Sequence, residues 1–361
     1  MKILHIHTSM GSGGIESMIT ALANEMAKTE DVYVCSIFKV SENDCQWSKL
    51  STNIKKHHLG KVNKGASLRA VYDAYKYIKA NKFDVVYMHG FIQYYVLAVL
   101  LCRKVKFCYT VHTDANMENR NTWARRLLWF RKFCFKHRLI TPITVSGASR
   151  ESFCELYKLE PALIYNGIER YKPQSKSNPL IEQYKYTSHT KIFIHAGRIS
   201  VPKNQIVLCD VFQRLIDERE DVVLLIAGQV QREDIFDKIQ TYFNDRIVYL
   251  GVRNDVCELM AHSDAFCLPS IWEGLPVTLL ESLSVGCIPI CAPVGGIVDV
   301  IESGVNGLLS ADSTKESYYK AVKAYLAHSD EELQRMQERC YDSFSKYEIS
   351  ETVTRYLQLA R

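Results

Sequence analysis

Two carboxylates and two cations carry the chemistry that can be read from this chain. Glu273 and Glu281 stand eight positions apart in PSIWEGLPVTLLESLSVGCIPI. Glu273 precedes Gly274 in a loop, and Glu281 falls on an apolar run that reads as a helix with Pro276 near its first turn. Two helical turns span roughly seven residues, so both carboxylates can address one cleft beside a helix N-terminus. That terminus offers N–H groups and positive dipole to a phosphate, while carboxylates accept hydrogen bonds from hydroxyls. Upstream, Gly197-Arg198-Ile199-Ser200-Val201-Pro202-Lys203-Asn204 supplies a planar fork and a point charge. Cations at a helix start oppose its dipole and call for an anion, and a diphosphate would suit the pair. A polyhydroxylated ligand carrying phosphates satisfies both halves; solvated charges on helix faces are the plain alternative.

Such groups need a frame. In the first half, KILHIHT, VYVCSIF, DVVYMH, KFCYTVH and PITVS read as strands, separated by amphipathic segments such as Glu16–Lys28, Leu68–Ala80 and Thr122–His137. In the second half, KIFIHAG, VVLLIAG, IVYLG, AFCLP and IPICA alternate with helical patterns in the same way. Nearly continuous apolar strands with intervening helices predict parallel sheets covered on both faces, and thus two doubly wound α/β domains. The join falls in YNGIERYKPQSKSNP, giving domains over 1–168 and 169–345, with a terminal helix over about 346–361. Ligands bind at the carboxyl ends of strands in such sheets, and a site drawing on both domains is the default expectation.

The remaining candidates follow strands. Gly13 and Gly14 open a helix after the first strand, in GSGGIE. A dinucleotide fingerprint needs a third glycine where Glu16 stands and an acid where Lys39 stands, so NAD and FAD are disfavoured. The glycines let backbone approach a ligand, or else satisfy a tight turn. His112 ends the fourth predicted strand and could hydrogen-bond a sugar hydroxyl or orient reacting groups; an ordinary structural histidine is the alternative. Val252 and Arg253 follow IVYLG, where backbone could read a base edge or Asn254 or Asp255 could cap a helix. The segments PVGG and SGVNG read as structural turns.

Composition is that of an ordinary globular protein of 361 residues. The net charge of +5 divides into +11 over residues 1–170 and −6 over the rest, so the first half should face something anionic. Twelve scattered cysteines without CxxC pairs predict reduced thiols and no metal site. The N-terminus is too polar for a signal peptide, and the longest apolar stretch, Phe91–Cys102, is shorter than the roughly 20 residues a bilayer requires. A cytoplasmic location is expected.

Gly13-Gly14-Ile15-Glu16, Arg198 with Lys203, the Glu273 and Glu281 pair, and the later GG and SGVNGLL segments resemble the GT-B glycosyltransferases of family 4 over nearly the whole chain. The resemblance implies two Rossmann-like domains facing across a cleft, a retaining transfer from a nucleotide sugar, and a last helix crossing back to the first domain. It implies that Arg198 and Lys203 hold the donor diphosphate, Glu273 the sugar and Glu281 the ribose. Backbone of Gly274, Leu275, Pro276, Val277 and Thr278 should cradle sugar and phosphate, with Gly14 approaching the diphosphate and His112 the donor sugar. Asn204 departs from the glycine that many members carry after the lysine. No D-x-D occurs, in keeping with a metal-independent site; no cofactor is expected beyond the nucleotide-sugar co-substrate.

One segment remains. In RNTWARRLLWFRKFCFKHR, Trp123, Leu127, Phe130 and Cys134 fall on one helical face, with Trp129 beside it and Arg125, Arg126, Arg131 and Lys132 supplying charge. A basic helix with tryptophans suits an anionic membrane surface, ahead of a merely solvated outer face, and polyprenyl-linked acceptors are common in the family it resembles. No nucleic-acid-binding module accompanies the charge. The expectation is a cytoplasmic glycosyltransferase, peripheral on the inner face of the membrane, that uses a UDP- or GDP-sugar and a lipid-linked glycan acceptor. The alternatives are a nucleotide-sugar epimerase of the same architecture and a non-catalytic partner that binds nucleotide sugar or membrane.

Overall fold

Thirteen strands carry the fold in a computed structural model that describes residues 1–11, 13–41, 44–63, 65, 67–117 and 125–361. Strands β1 (Lys2–His7), β2 (Asp31–Phe38), β3 (Lys55–Lys61), β4 (Val85–His89), β5 (Lys106–Val111), β6 (Thr141–Thr144) and β7 (Ala162–Leu163) form one sheet. A second contains β8 (Lys191–Ala196), β9 (Val222–Ala227), β10 (Ile247–Gly251), β11 (Ala265–Leu268), β12 (Ile288–Cys291) and β13 (Leu308–Leu309). The chain divides into two compact units: residues 1–169 with 347–361, and residues 170–346.

In the first unit the strand order is β3-β2-β1-β4-β5-β6-β7, with every neighbouring pair parallel. Side chains of β1, β4 and β5 are buried on both faces, which is why these runs are mainly apolar, with histidines among them. Strand β3, KKHHLGK, was not expected from its polar sequence; it is an edge strand and largely exposed. Helix Ile349–Ala360 belongs to this unit, where the Tyr87 hydroxyl donates to the Tyr356 carbonyl at 2.6 Å. A Cβ on Gly167 would stand 2.2 Å from Thr352 Oγ1, so a glycine there lets the terminal helix seat.

The second unit repeats the topology as β10-β9-β8-β11-β12-β13, again all parallel. Its core joins β8, β9 and β11 to the helix Gln205–Asp217, with Phe193 edge-on to Phe212 and Tyr325. In both sheets the chain reverses its direction of build-out between two central strands: β1 and β4 in the first, β8 and β11 in the second. Crevices at the carboxyl ends of such strands are where open α/β sheets bind ligands. No helix among the described residues is long and apolar enough to cross a membrane.

Candidate functional site

In the second unit, the loops leaving β8 and β11 meet. Lys203 Nζ donates to Glu273 Oε1 at 2.6 Å, and the Ser270 hydroxyl donates to the same oxygen at 2.6 Å. Both members of the ion pair retain a little solvent contact, 15% for the lysine side chain and 12% for the glutamate. The sequence places Lys203 as a cation awaiting an anion; the structure adds that Glu273 supplies one. Arg198 is exposed on the same loop.

Residues that sequence reasoning missed hold this loop. Buried Gln205 donates from Nε2 to the Arg198 carbonyl at 2.9 Å and to His195 Nε2 at 3.1 Å, while its Oε1 accepts from Ser200 N–H at 3.3 Å. His195 donates from Nδ1 to the Cys267 carbonyl at 2.8 Å, which leaves Nε2 as the acceptor that Gln205 requires. Burial pushes its pKa down to about 4, so the ring is neutral at pH 7. Asn204, where the resemblance leads one to expect glycine, adopts the left-handed conformation at φ 57°. Asparagine tolerates that region, and its side chain donates to the carbonyls of Pro269 at 3.0 Å and Ser313 at 3.1 Å. The departure therefore preserves the turn and ties the Lys203 loop to the loop carrying Glu273.

Two glycines permit close approaches that no side chain would allow. A Cβ on Gly228 would stand 1.9 Å from the Gly197 carbonyl oxygen, and one on Gly295 2.0 Å from that of Glu273. The PVGG segment, read from sequence as a structural turn, thus packs against the Glu273 loop, and Gly296 N–H donates to the Gly274 carbonyl at 2.5 Å. Pro276 caps the helix Val277–Ser284, on whose second turn the half-buried Glu281 lies. Gly274, Leu275 and Val277 are buried, and Thr278 Oγ1 is buried with no hydrogen-bond partner among the described residues. Arg253 forms a fork with Asp255, at 2.8 and 2.5 Å, beside the exposed Val252. Asp255 occupies the helix N-cap position, but its carboxylate serves Arg253 and makes no cap hydrogen bond.

The first unit brings together histidines from three strands. His112 follows β5; its Nε2 lies 3.1 Å from His89 Nδ1 at the end of β4, and His89 Nε2 lies 3.2 Å from His5 Nδ1 on β1. His7 donates from Nδ1 to the His89 carbonyl at 2.5 Å, and its other nitrogen stands 3.9 Å from Glu16. Burial pushes His5 and His112 down to about 3 and lowers His7 and His89 as well. Only His112 was singled out from sequence. The others were legible as histidines recurring at the carboxyl ends of apolar strands, where packing alone would not place them. Gly13 caps the following helix, and Gly14 is exposed on its first turn.

The basic segment requires a correction. Trp123 lies outside the described residues. Arg125, Arg126, Trp129 and Lys132 are exposed, but Arg131 is only 1% exposed. Arg131 sits four residues after Leu127 and three before Cys134, hence on the inward stripe of helix Leu128–Lys136, where its guanidinium lies 5.9 Å from the Tyr157 ring centre. It lines a pocket of about 170 Å³ with His7, His89, His112 and Phe91, and cannot present charge to a membrane.

Known proteins match in the same pattern. A family model described as glycosyltransferase family 4 matches residues 12–170, and one described as glycosyl transferases group 1 matches residues 178–342. The UDP-Gal:alpha-D-GlcNAc-diphosphoundecaprenol alpha-1,3-galactosyltransferase of Escherichia coli is 25% identical, covering 71% of this chain and 69% of that protein. The N-acetyl-alpha-D-glucosaminyl L-malate synthase of Bacillus anthracis is 25% identical, covering 76% and 73%. Among solved structures, Anabaena Alr3699/HepE in complex with UDP and glucose superposes with a TM-score of 0.81 at 18% identity, covering 99% of both chains. WaaG, a glycosyltransferase involved in lipopolysaccharide biosynthesis, superposes at 0.76 with 15% identity and 99% of both chains. The shared architecture is GT-B.

Proposed function

The chain belongs to the group 1, family 4 glycosyltransferases, and we propose that it moves a sugar from a UDP-sugar, with a GDP-sugar as the alternative, to a hydroxyl of a lipid-linked glycan in surface polysaccharide synthesis, retaining the anomeric configuration. The observation that carries this reading is the Lys203–Glu273 pair at the switch point of the second sheet, beside exposed Arg198. A buried or half-buried charge pair next to an unmatched arginine is the electrostatics a diphosphate needs.

On donor arrival Lys203 turns from Glu273 to the diphosphate, and the released carboxylate accepts hydrogen bonds from sugar hydroxyls. Glu281 accepts from the ribose. N–H groups at the start of helix Val277–Ser284 receive a phosphate oxygen, for which Thr278 Oγ1 is a second donor. As the anomeric C–O bond breaks, charge develops on the departing phosphate, where Arg198 and Lys203 stabilise it. The acceptor hydroxyl attacks from the same face and gives its proton to that phosphate oxygen. The Escherichia coli relative, named for a UDP-sugar and a diphosphoundecaprenol-linked acceptor, supports the choice of substrates. Exposed Arg125, Arg126, Trp129 and Lys132 support contact with the anionic surface where such acceptors reside.

Incubation with a panel of nucleotide sugars and a lipid-linked acceptor tests the reading, with the product anomer assigned by NMR. A UDP-sugar-dependent product of retained configuration is expected. An inverted product contradicts the same-face mechanism, and isomerisation of donor alone contradicts transfer.

A further inference from the structure

The three histidines that line up in the first unit end on a sulfur. His5 Nε2 lies 3.3 Å from Met26 Sδ, and both residues have no solvent exposure. A thioether carries no proton and can only accept, so this contact is a hydrogen bond only when His5 Nε2 bears the hydrogen. A neutral imidazole has one N–H, so His5 Nδ1 is then an acceptor, and His89 Nε2 must be the donor to it. His89 Nδ1 is left to accept, and His112 Nε2 must donate. The nitrogen remaining at the end of the chain, His112 Nδ1, carries a lone pair, on a ring that lines the pocket. Reversing every bond would set the His5 Nε2 lone pair against the sulfur lone pairs in a fully buried site, disfavouring that arrangement on the order of tenfold.

We propose that Met26, acting through His5 and His89, fixes the tautomer of His112 so that its Nδ1 accepts a hydrogen bond from a hydroxyl of the sugar substrate. His5, His89 and Met26 are positioning residues, and His112 makes the contact. The chain is a polarity clamp and not a proton relay, because the sulfur at its inner end takes no proton and His5, beside it, has no solvent exposure. Among the described residues no group of three histidine, cysteine or carboxylate side chains stands in metal-binding array. Burial keeps the rings neutral, which the alternation of donor and acceptor requires. His7 adds a second acceptor by the same logic, since its Nδ1 hydrogen is committed to the His89 carbonyl. Lone pairs from His112 and His7 suit a ligand that brings hydroxyl hydrogens, as a sugar does.

The substrate contact rests on the proposed transferase reading, whereas the tautomer does not. Long-range ¹H–¹⁵N correlation NMR on the full chain labelled at histidine reads the tautomer directly. His112 protonated at Nε2 and bare at Nδ1 is expected; His112 protonated at Nδ1 overturns the proposal. Met26→Leu keeps the volume and removes the acceptor. In this variant His112 should populate both tautomers and kcat should fall about threefold to tenfold with donor KM unchanged. An unchanged His112 spectrum in M26L overturns the clamp. Wild-type transfer by His112→Ala overturns the hydroxyl contact. A wild-type chain that shows the expected tautomer but turns over no nucleotide sugar would sink the proposed function and support the clamp.

Discussion

The two switch-point crevices are built on one topology and carry opposite electrostatics. At the carboxyl ends of β8 and β11 the side chains are kept charged: Lys203 and Glu273 neutralise each other at 2.6 Å with residual access to water. At those of β1 and β4 stand histidines that burial holds neutral, with Glu16 3.9 Å from His7 and the buried Arg131 lining the same pocket. Ion pairs at a crevice can exchange partners when an anion arrives, because each charge already has a solvated alternative. Neutral rings cannot hold an anion, but they can present hydrogen-bond donors and acceptors in a fixed order. The same fold thus sets an ion pair in one crevice and buried, neutral imidazoles in the other.

The largest effect should come from removing the charge. Lys203→Ala is expected to lower kcat roughly 10²- to 10³-fold, as loss of a group that stabilises developing charge does. Arg198→Ala should act in the same direction. Steady-state kinetics check both, and near-wild-type turnover in the double variant would erase the contrast between the crevices.

Next is the close approach that supports the charged loop. Gly295→Ala places a Cβ against the Glu273 carbonyl at a residue with φ +56°, and should destabilise the second unit by about 1–3 kcal/mol. Gly304→Ala is the control: its φ is +82° but nothing lies within 4 Å, so the loss should be smaller. Thermal unfolding compares the two, and equal losses would mean that the approach to Glu273 is not what the glycine serves.

Acid should separate the halves. Folded His5 and His112 titrate at about 3, whereas an unfolded histidine titrates near 6.5. Between these values the unfolded chain binds more protons, so the stabilisation is whole above pH 6.5 and is lost as pH falls toward 3. Among the described residues the first unit holds five histidines whose pKa burial lowers, His5, His7, His57, His89 and His112, and the second holds His195. Between pH 6.5 and 5, hydrogen-exchange protection, taken relative to the intrinsic rate at each pH, should fall more in the first unit, before carboxylates such as Glu258, pushed down to about 2, begin to respond. An equal loss in the two units would contradict the account of neutral, buried rings.

The smallest effect on catalysis itself concerns the surface. Replacing Arg125, Arg126 and Lys132 by glutamine should weaken binding to anionic vesicles on the order of a hundredfold, roughly 1 kcal/mol per charge. Arg131→Gln should instead act on folding, since its side chain is buried. Unchanged vesicle binding in the triple variant would remove the membrane contact from the proposal.

Much of this was legible in the residues. Apolar strands alternating with amphipathic helices gave both sheets, and candidate groups read as following strands do so, Lys203 and Glu273 in one unit and His112 in the other. Polar edge strand β3 escaped because an edge need not be apolar. What escaped in the crevices depends on contacts between distant positions. His5 meets His89 across 84 residues, and Lys203 meets Glu273 across 70. Gln205 reads as an ordinary first-turn residue until its bonds to the Arg198 carbonyl and His195 are seen. Arg131 misled because charge was counted along the segment; its phase on the helix places it inward.

Calorimetric titration of UDP into the wild-type chain and into Lys203→Ala tests the central claim most directly. If Lys203 exchanges Glu273 for the diphosphate, the variant should bind UDP more weakly by roughly tenfold or more, the worth of one charge-assisted hydrogen bond. Equal affinity in the two proteins would contradict it.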